Sequence, residues 1–480
     1  MKKHPLILAV VALAALATAC NKDHKAEQQR PVLAGVLAGC ETPGSCGDST
    51  INTNITANLT LRSCKKYKLS GLVYVKNGAT LTIEPGTRIE GIKGSPGGTL
   101  IVTRGSKIIA DGTASCPIVF TSDQTSPQSG DWGGIAILGR AEINQPADTA
   151  FIEGLNVTPG PDGYYGGLNN SDNSGILRYV RIEYAGYELG TDNELNGLTL
   201  AGVGCGTIVD YVEVFKSKDD AFEFFGGTVN AKHLIAVDAL DDMFDFDNGY
   251  RGSIQYALGL SDTTRADKSQ SNGIECDNDA SSSTNSPNTL PVISNLTIIG
   301  VPNATKASIT NGAPSGTGRY GRGAHFRRNA GFTLVNSIVM GFNLGVSLDG
   351  TLTQDKLLVS GVSCFKNNLV HAFTSSKQFA TESAAGSFTP STDNLGYNDV
   401  NPNTSIKLVA PFSRTTAKFY MPVQGIPALT SPALTQGTTT SCLTVTCTAT
   451  PWSWVTESFR GAFGSNTAGT DWAAGWAIFQ

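Results

Sequence analysis

Residues 211–250 are written twice, and that duplication constrains the fold more than any other feature of the chain. VEVFKSKDDAFEFFGG (212–227) is followed 22 residues on by LIAVDALDDMFDFDNG (234–249). Asp219-Asp220 falls on Asp241-Asp242, Phe222 on Phe244, Glu223 on Asp245, Phe224 on Phe246 and Gly227 on Gly249. A period in the low twenties is the mark of a solenoid in which each repeat is one turn. The same stretch is densely acidic: residues 219–247 hold eight carboxylates and one lysine, Lys232.

Successive side chains of a strand point to opposite faces. If Phe222/Phe224 and Phe244/Phe246 point inward, Glu223 and Asp245 point outward from one sheet. The frame extends upstream to residues 196–200 (NGLTL) and downstream to 272–278 (NGIECDN), with an inserted loop between. After longer insertions it meets Arg322-Gly323-Ala324-His325-Phe326-Arg327, and then Val346-Ser347-Leu348-Asp349. The outward column reads Thr199, Glu223, Asp245, Glu275, His325, Ser347. Its neighbour reads Ala201, Phe225, Asp247, Asp277, Arg327, Asp349. Rungs about 4.8 Å apart would stack three carboxylates, with His325 on the next rung.

Before the repeat, residues 71–91, 98–123 and 131–143 are short alternating strands punctuated by glycine. Their wording, LTIEPGT, LIV, ADGTA and PIVFTSD, resembles the opening coils of the right-handed parallel β-helix, pectin-lyase-like family found in bacterial envelopes. That resemblance implies an all-β solenoid of twelve to fourteen coils and leaves function open. Composition agrees: 54 glycines, many Thr, Val and Ile, and 16% charged residues. Residues 144–175, rich in Pro, Asp, Asn and Gly, interrupt the rhythm as an insertion that either builds a binding surface or is a plain surface loop.

Like charges on successive rungs repel, so the ladder asks for a use. Calcium is one, because it takes oxygen ligands such as Asp220, Asp242 and Asp245. Acid/base catalysis by Glu223, Asp245, Glu275 and His325 is another, since crowded carboxylates drive one another's pKa values apart. Adjacent and alternate rungs, roughly 5 and 9.5 Å apart, match the two carboxylate spacings of glycosidases. A third is a groove whose acids, with Asp247, Asp277 and Arg327, hydrogen-bond the hydroxyls of a glycan. Against all three, the Asp-Asp pairs serve equally as turn residues, and His325 as a solvated surface side chain. KSKDDAFEF is also similar to the Asp-Asp coil of polygalacturonase-type hydrolases, where paired acids are catalytic. The His-Gly and Arg-x-Lys motifs of that family have no counterpart here. Pectate-lyase-type chemistry would need an arginine base, for which Arg327 is the candidate.

Lys2-Lys3, an apolar run over 6–19 and Cys20 form an export signal too short to span a bilayer. Residues 17–20 (ATAC) resemble a bacterial lipobox, which implies lipidation of Cys20. Residues 37–40 (LAGC) are a second candidate, and ordinary secretion a third. The expected organisation is a signal peptide over 1–20, a tether over 21–50, a β-helix over 51–375, and a loop-rich segment with an aromatic cap over 376–480. The tail resembles the ending of uncharacterised envelope β-helix proteins, and its four tryptophans read either as the cap or as a sugar-stacking platform. Cys40/Cys46 and Cys442/Cys447 lie close enough for loop disulfides, whereas Cys205 and Cys276 read as small buried hydrophobes. A formal charge of −5 gives no basic footprint for nucleic acid. The expectation is a monomeric, lipid-anchored outer-membrane or surface protein that binds a polysaccharide. The alternatives are a polysaccharide hydrolase or lyase and a structural or adhesion protein.

Overall fold

Ten short strands stack in parallel, one per coil, into the sheet that carries the acidic repeat. They are β1 (Leu72–Val75), β2 (Thr99–Val102), β3 (Gly134–Leu138), β4 (Leu198–Ala201), β5 (Phe222–Phe225), β6 (Phe244–Asp247), β7 (Ile274–Cys276), β8 (Arg322–Phe326), β9 (Leu344–Asp349) and β10 (Phe379–Glu382). These coordinates are a computed structural model. It describes residues 40–479 apart from 95, 154, 156–159, 191–192, 309–317, 415–423, 439–440 and 465–470. The expected signal peptide, Cys20 and the tether up to residue 39 lie outside the described residues.

A second parallel sheet of seventeen strands completes each coil. In the early coils it is built from pairs of short strands, such as Lys107–Asp111 and Ile118–Ser122. From Gly175–Glu183 to Val292–Ile299 one bent strand replaces the pair, and pairs return at Thr333–Val335 with Ile338–Phe342 and at Cys364–Lys366 with Leu369–Ala372. The corner falls at a left-handed residue in each of these coils: Tyr179, Tyr211, His233, Tyr256, Asn295, Asn336 and Asn367 have φ between 48° and 62°. The first four stack ring on ring, with centroids 4.1–5.0 Å apart. The fold is a right-handed parallel β-helix.

The interior confirms the inward and outward assignment. Phe222 stacks on Phe244 at 5.4 Å and Phe224 on Phe246 at 5.1 Å, all within one continuous core. Burying each such ring is worth about 1.5–3 kcal/mol. The repeat ends in glycine because the turn demands it: Gly227 has φ +83°, and a Cβ there would lie 2.5 Å from the Val203 carbonyl oxygen.

Two expectations change. Strands begin at Asp48 and parallel pairing continues to Leu395–Tyr397, so the helix extends beyond 51–375 at both ends. Among the described residues the seventeen-stranded sheet stacks twelve levels from Asp48–Ile51 to Leu395–Tyr397, within the twelve to fourteen coils expected. The disulfides are Cys40–Cys116, Cys46–Cys64, Cys205–Cys447 and Cys364–Cys442. Spatial neighbours in a solenoid lie a coil apart and not a few residues apart, which defeats pairing by sequence proximity. Cys205 is therefore bonded, while Cys276 is a buried free thiol as expected.

The C-terminal segment lies along the side of the helix. Trp476, Phe463, Ile478 and Phe479 pack on the outer face of the bent strands against Phe215, Ile235, Leu258 and Ile338. Arg181 Nη1 donates to the Trp476 carbonyl at 2.9 Å, and the Ile478 N–H donates to Glu213 at 3.0 Å. Trp472 stacks on Phe463 and Trp476 is fully buried, so these rings form a second core.

Candidate functional site

The outward column has the expected register. Glu223 on β5 pairs with Thr199 on β4 and Asp245 on β6, Asp245 with Glu275 on β7, Glu275 with His325 on β8, and His325 with Ser347 on β9. Asp247 lies opposite Phe225, and the Arg327 N–H, just past β8, donates to the Cys276 carbonyl at 2.9 Å. The column is more enclosed than expected: Glu223 is 7% exposed and His325 3%. It opens where Asp245, Asp247, Glu275 and Arg327 are half-buried.

Two insertions flank it. Ile152, Leu155 and Tyr165 of the 144–175 insertion pack on outward residues of β2–β5, namely Ile101, Ala136, Ala201 and Phe225. Asn144 Nδ2 donates to the Asn278 carbonyl at 2.6 Å, and Asn248 Nδ2 to Tyr165 Oη at 3.1 Å. On the opposite side of the strands, Ser269 Oγ donates to Asp241 at 2.6 Å, and Arg322 Nη1 to Gln270 at 2.7 Å. The acids line a trench between these loops.

The second aspartate of each pair holds the turn. Asp220 Oδ1 accepts the Asp242 N–H at 2.8 Å, Asp242 Oδ1 the Asn272 N–H at 2.5 Å, and Asn272 Oδ1 the Arg322 N–H at 2.8 Å. Asn196 occupies the same place one coil earlier; its Nδ2 donates to Glu223, and its Oδ1 has no partner among the described residues. The frame that located Asp220 and Asp242 also contained Asn196 and Asn272, two residues before each strand's first inward side chain.

Asp245 is the centre of the cluster. Its Oδ1 is sealed from solvent and finds no hydrogen bond among the described residues. Burial, then Glu275, Asp247 and Asp277, push its pKa well above the ordinary carboxylate range. Burial followed by Glu153 and Asp245 does the same to Glu223. Asp247 is pushed up to about 8 by burial and by Asp277. Oxygens of Asp220, Glu223 and Asp245 lie within 4.8 Å of one another, as do those of Asp242, Asp245 and Glu275.

The far end is compensated. Arg327 donates to Glu275 and, through Nε, to Asp277 at 2.8 Å; Arg328 Nη1 reaches Asp277 at 2.7 Å. Burial opposes the Arg327 charge, but Glu275 and Asp277 outweigh it and hold its pKa above the usual arginine value. Arg327 is therefore a clamp on two acids and is unsuited to act as a base. His325 Nε2 lies 3.1 Å from Asp349, and Nδ1 3.9 Å from Glu275. The hydrogen bond to His325 brings Asp349 down to about 2. Arg322 forks onto Glu382 with bonds of 2.9 and 2.6 Å. Arg328 and Glu382 were missed at the sequence level: Arg328 follows the strand, and Glu382 lies one coil beyond Asp349, past a helix and two strands.

Residues 53–405 match the family described as pectate-lyase-like β-helix domain. The chain belongs to that family. Among curated proteins none matches. Among solved structures it is similar to the catalytic unit of a thermostable GH87 alpha-1,3-glucanase from Streptomyces thermodiastaticus, at 11% identity and a TM-score of 0.22. The match covers 74% of this chain and 65% of that one.

Within this pectate-lyase-like domain the donor set suits a hard cation. All donors are oxygens, Asp245 Oδ1 and Asn196 Oδ1 have no partner among the described residues, and Asp220 and Asp242 each keep one oxygen free of the backbone bond. The same geometry also suits proton transfer: a carboxyl whose pKa burial raises stands one rung from Glu275, which is paired to Arg327.

Proposed function

We propose that this chain is an exported, lipid-anchored envelope protein that binds an extended glycan at the acidic trench. The unpartnered Asp245, amid Asp220, Glu223, Asp242 and Glu275, carries this reading: buried acids left without partners are costly unless a ligand completes them. Sugar hydroxyls supply both donors and acceptors, and a calcium ion on Asp220, Asp242 and Asp245 would orient them. Four disulfides fit an oxidising compartment outside the cytoplasm, in line with the export signal and Cys20.

A second reading is glycan hydrolysis. The closeness of Asp245 and Glu275, with oxygens within 4.8 Å, favours it. That spacing is nearer the retaining arrangement than the inverting one. Asp245 would serve as acid and Glu275, held by Arg327, as its partner.

The test is a panel of soluble polysaccharides presented to wild type, Asp245→Asn and Glu275→Gln. Loss of binding in folded Asp245→Asn supports the trench. Product release by wild type that both variants lose converts the reading to hydrolysis. Wild-type binding that neither substitution changes would remove the trench from the account.

A further inference from the structure

A second cavity lies away from the acids, at the end of the first three rungs. It has a volume of about 520 Å³ and is lined by Asn77, Thr103, Arg104, Arg140 and Asp162, with Gly78 and Pro161 at its edge. That volume falls in the range of small-molecule sites. Asn77, Arg104 and Arg140 follow β1, β2 and β3 and so lie at the same corner of consecutive coils. Asp162 comes from the 144–175 insertion, which roofs the corner.

Arg140 is exposed and Arg104 half-buried. Neither Arg104 nor Arg140 forms an ion pair among the described residues. Arg104 Nη1 donates to the Gly166 carbonyl at 3.2 Å, and Arg140 Nη2 reaches only the Arg104 carbonyl at 3.5 Å. Most of their ten N–H donors therefore have no protein acceptor among the described residues. The guanidinium of Arg140 lies across Gly105, where a Cβ would stand 2.2 Å from Nη2. The absent side chain makes a seat for the arginine, and the φ of +84° explains why glycine occupies it. The carboxylate at the rim, Asp162, is already engaged by Lys76 at 2.6 Å. With Lys76, Arg104 and Arg140 set against Asp162 and against Asp172, which lies within electrostatic reach of Arg140, the corner carries an excess of one positive charge in a chain of net charge −5.

We propose that this corner is an oxyanion pocket that binds a carboxylate or sulfate ester carried on a sugar. Arg104 and Arg140 supply the planar, paired donors that such groups accept. Asn77 adds a neutral polar side chain beside them, while the Thr103 hydroxyl is committed to the Val75 carbonyl at 3.0 Å. The identity of the carrier rests on the glycan reading of the trench; the pocket itself does not. The pocket and the acids stand on the same stack of strands, β1–β3 and β5–β7, with the 144–175 insertion covering the outward face between them.

Two matched pairs of polymers test this: dextran sulfate against dextran, and polygalacturonate against its methyl ester. Each is titrated into wild type, Arg104→Ala/Arg140→Ala and Arg104→Gln/Arg140→Gln. The expected result is that one charged polymer binds wild type at least tenfold more tightly than its neutral partner. Both double variants lose that preference, and added salt weakens it in wild type. Which pair shows the effect tells sulfate from carboxylate. A second readout uses inorganic sulfate, compared with chloride at equal ionic strength. It should raise the melting temperature of wild type more than that of either variant. Charged polymers that bind wild type and variants equally would overturn the pocket. Binding of neutral polymers only, with no arginine-dependent sulfate effect, would overturn it while leaving the glycan reading intact. An arginine-dependent sulfate effect with no polymer bound would keep the pocket and remove the glycan.

Discussion

Asp220 and Asp242 are joined across one turn of the solenoid: Asp220 Oδ1 accepts the buried N–H of Asp242 at 2.8 Å, and Asp242 repeats the bond to Asn272. This gives the Asp-Asp pairs a structural duty separate from the outward column. Asp220→Ala orphans a buried N–H and should lower stability by about 1–3 kcal/mol. Asp220→Asn keeps the acceptor and removes a buried charge crowded by Asp219 and Asp242, so it should be neutral or stabilising. Urea unfolding midpoints of the two variants separate these effects. Equal losses in both would refute the turn assignment.

The alternation of Phe222-Glu223-Phe224 and its copy at Phe244 was enough to read the register from Thr199 to Ser347, because a period-two strand inside a 22-residue repeat leaves little freedom. The partners of that column were not legible. Arg328 has φ 47° and turns back onto Asp277 just after the strand, an event with no periodic signal. Glu382 reaches Arg322 from two coils on, beyond a helix (Thr351–Leu358) and two strands. Ile152 and Leu155, which cover the neighbouring outward face, sit in an insertion whose composition says loop and nothing about where it folds. The tail tryptophans were visible as a cluster. Their placement along the side depends on Phe215, Ile235 and Leu258 pointing outward, which a buried apolar run does not reveal.

Asp245→Asn should stabilise the ligand-free protein, since it removes one charge from a cluster of like charges and supplies an amide donor to Glu223 or Glu275. The same change should abolish binding at the trench, the familiar opposition between stability and function at a strained site. A higher melting temperature together with lost glycan binding is the expected pair of results. A lower melting temperature would mean that Asp245 is structural.

Calcium, if it occupies Asp220, Asp242 and Asp245, stabilises only the folded chain. At a hundred times its Kd it adds about 2.7 kcal/mol. The melting temperature should therefore rise with millimolar calcium, fall with chelator, and lose this response in Asp242→Asn. Magnesium, which demands a tighter octahedral shell, should do less. An unchanged melting curve across chelator and calcium would remove the ion from the account.

Cys205–Cys447 and Cys364–Cys442 tie the tail to the helix across 242 and 78 residues of chain. Loss of either bond should cost about 2–5 kcal/mol and loosen the segment carrying Phe463 and Trp476. In Cys447→Ser, hydrogen exchange should quicken around Ile235, Leu258 and Ile478, where the second core forms, while Phe222–Phe225 stays protected. Uniform loss of protection would show instead that tail and coils unfold as one.

Asp238 gives a pH prediction away from the trench. It sits at a left-handed corner (φ 56°) with Arg414 Nη2 2.8 Å from its Oδ1, yet burial outweighs the arginine and raises its pKa from 3.8 to about 6. The folded state thus keeps a proton that the unfolded state loses near pH 4. Between those values the unfolded chain binds fewer protons, so stability falls as pH rises, and the loss is complete above about pH 6. Two pKa units correspond to on the order of 2–3 kcal/mol. Asp238→Asn has no such titration, while the trench acids titrate alike in both proteins. The stability of Asp238→Asn relative to wild type should therefore rise by that amount between pH 4 and pH 7.5 in matched urea titrations. A difference that stays constant with pH would mean that Arg414 neutralises Asp238 in full and that burial does not govern the pair.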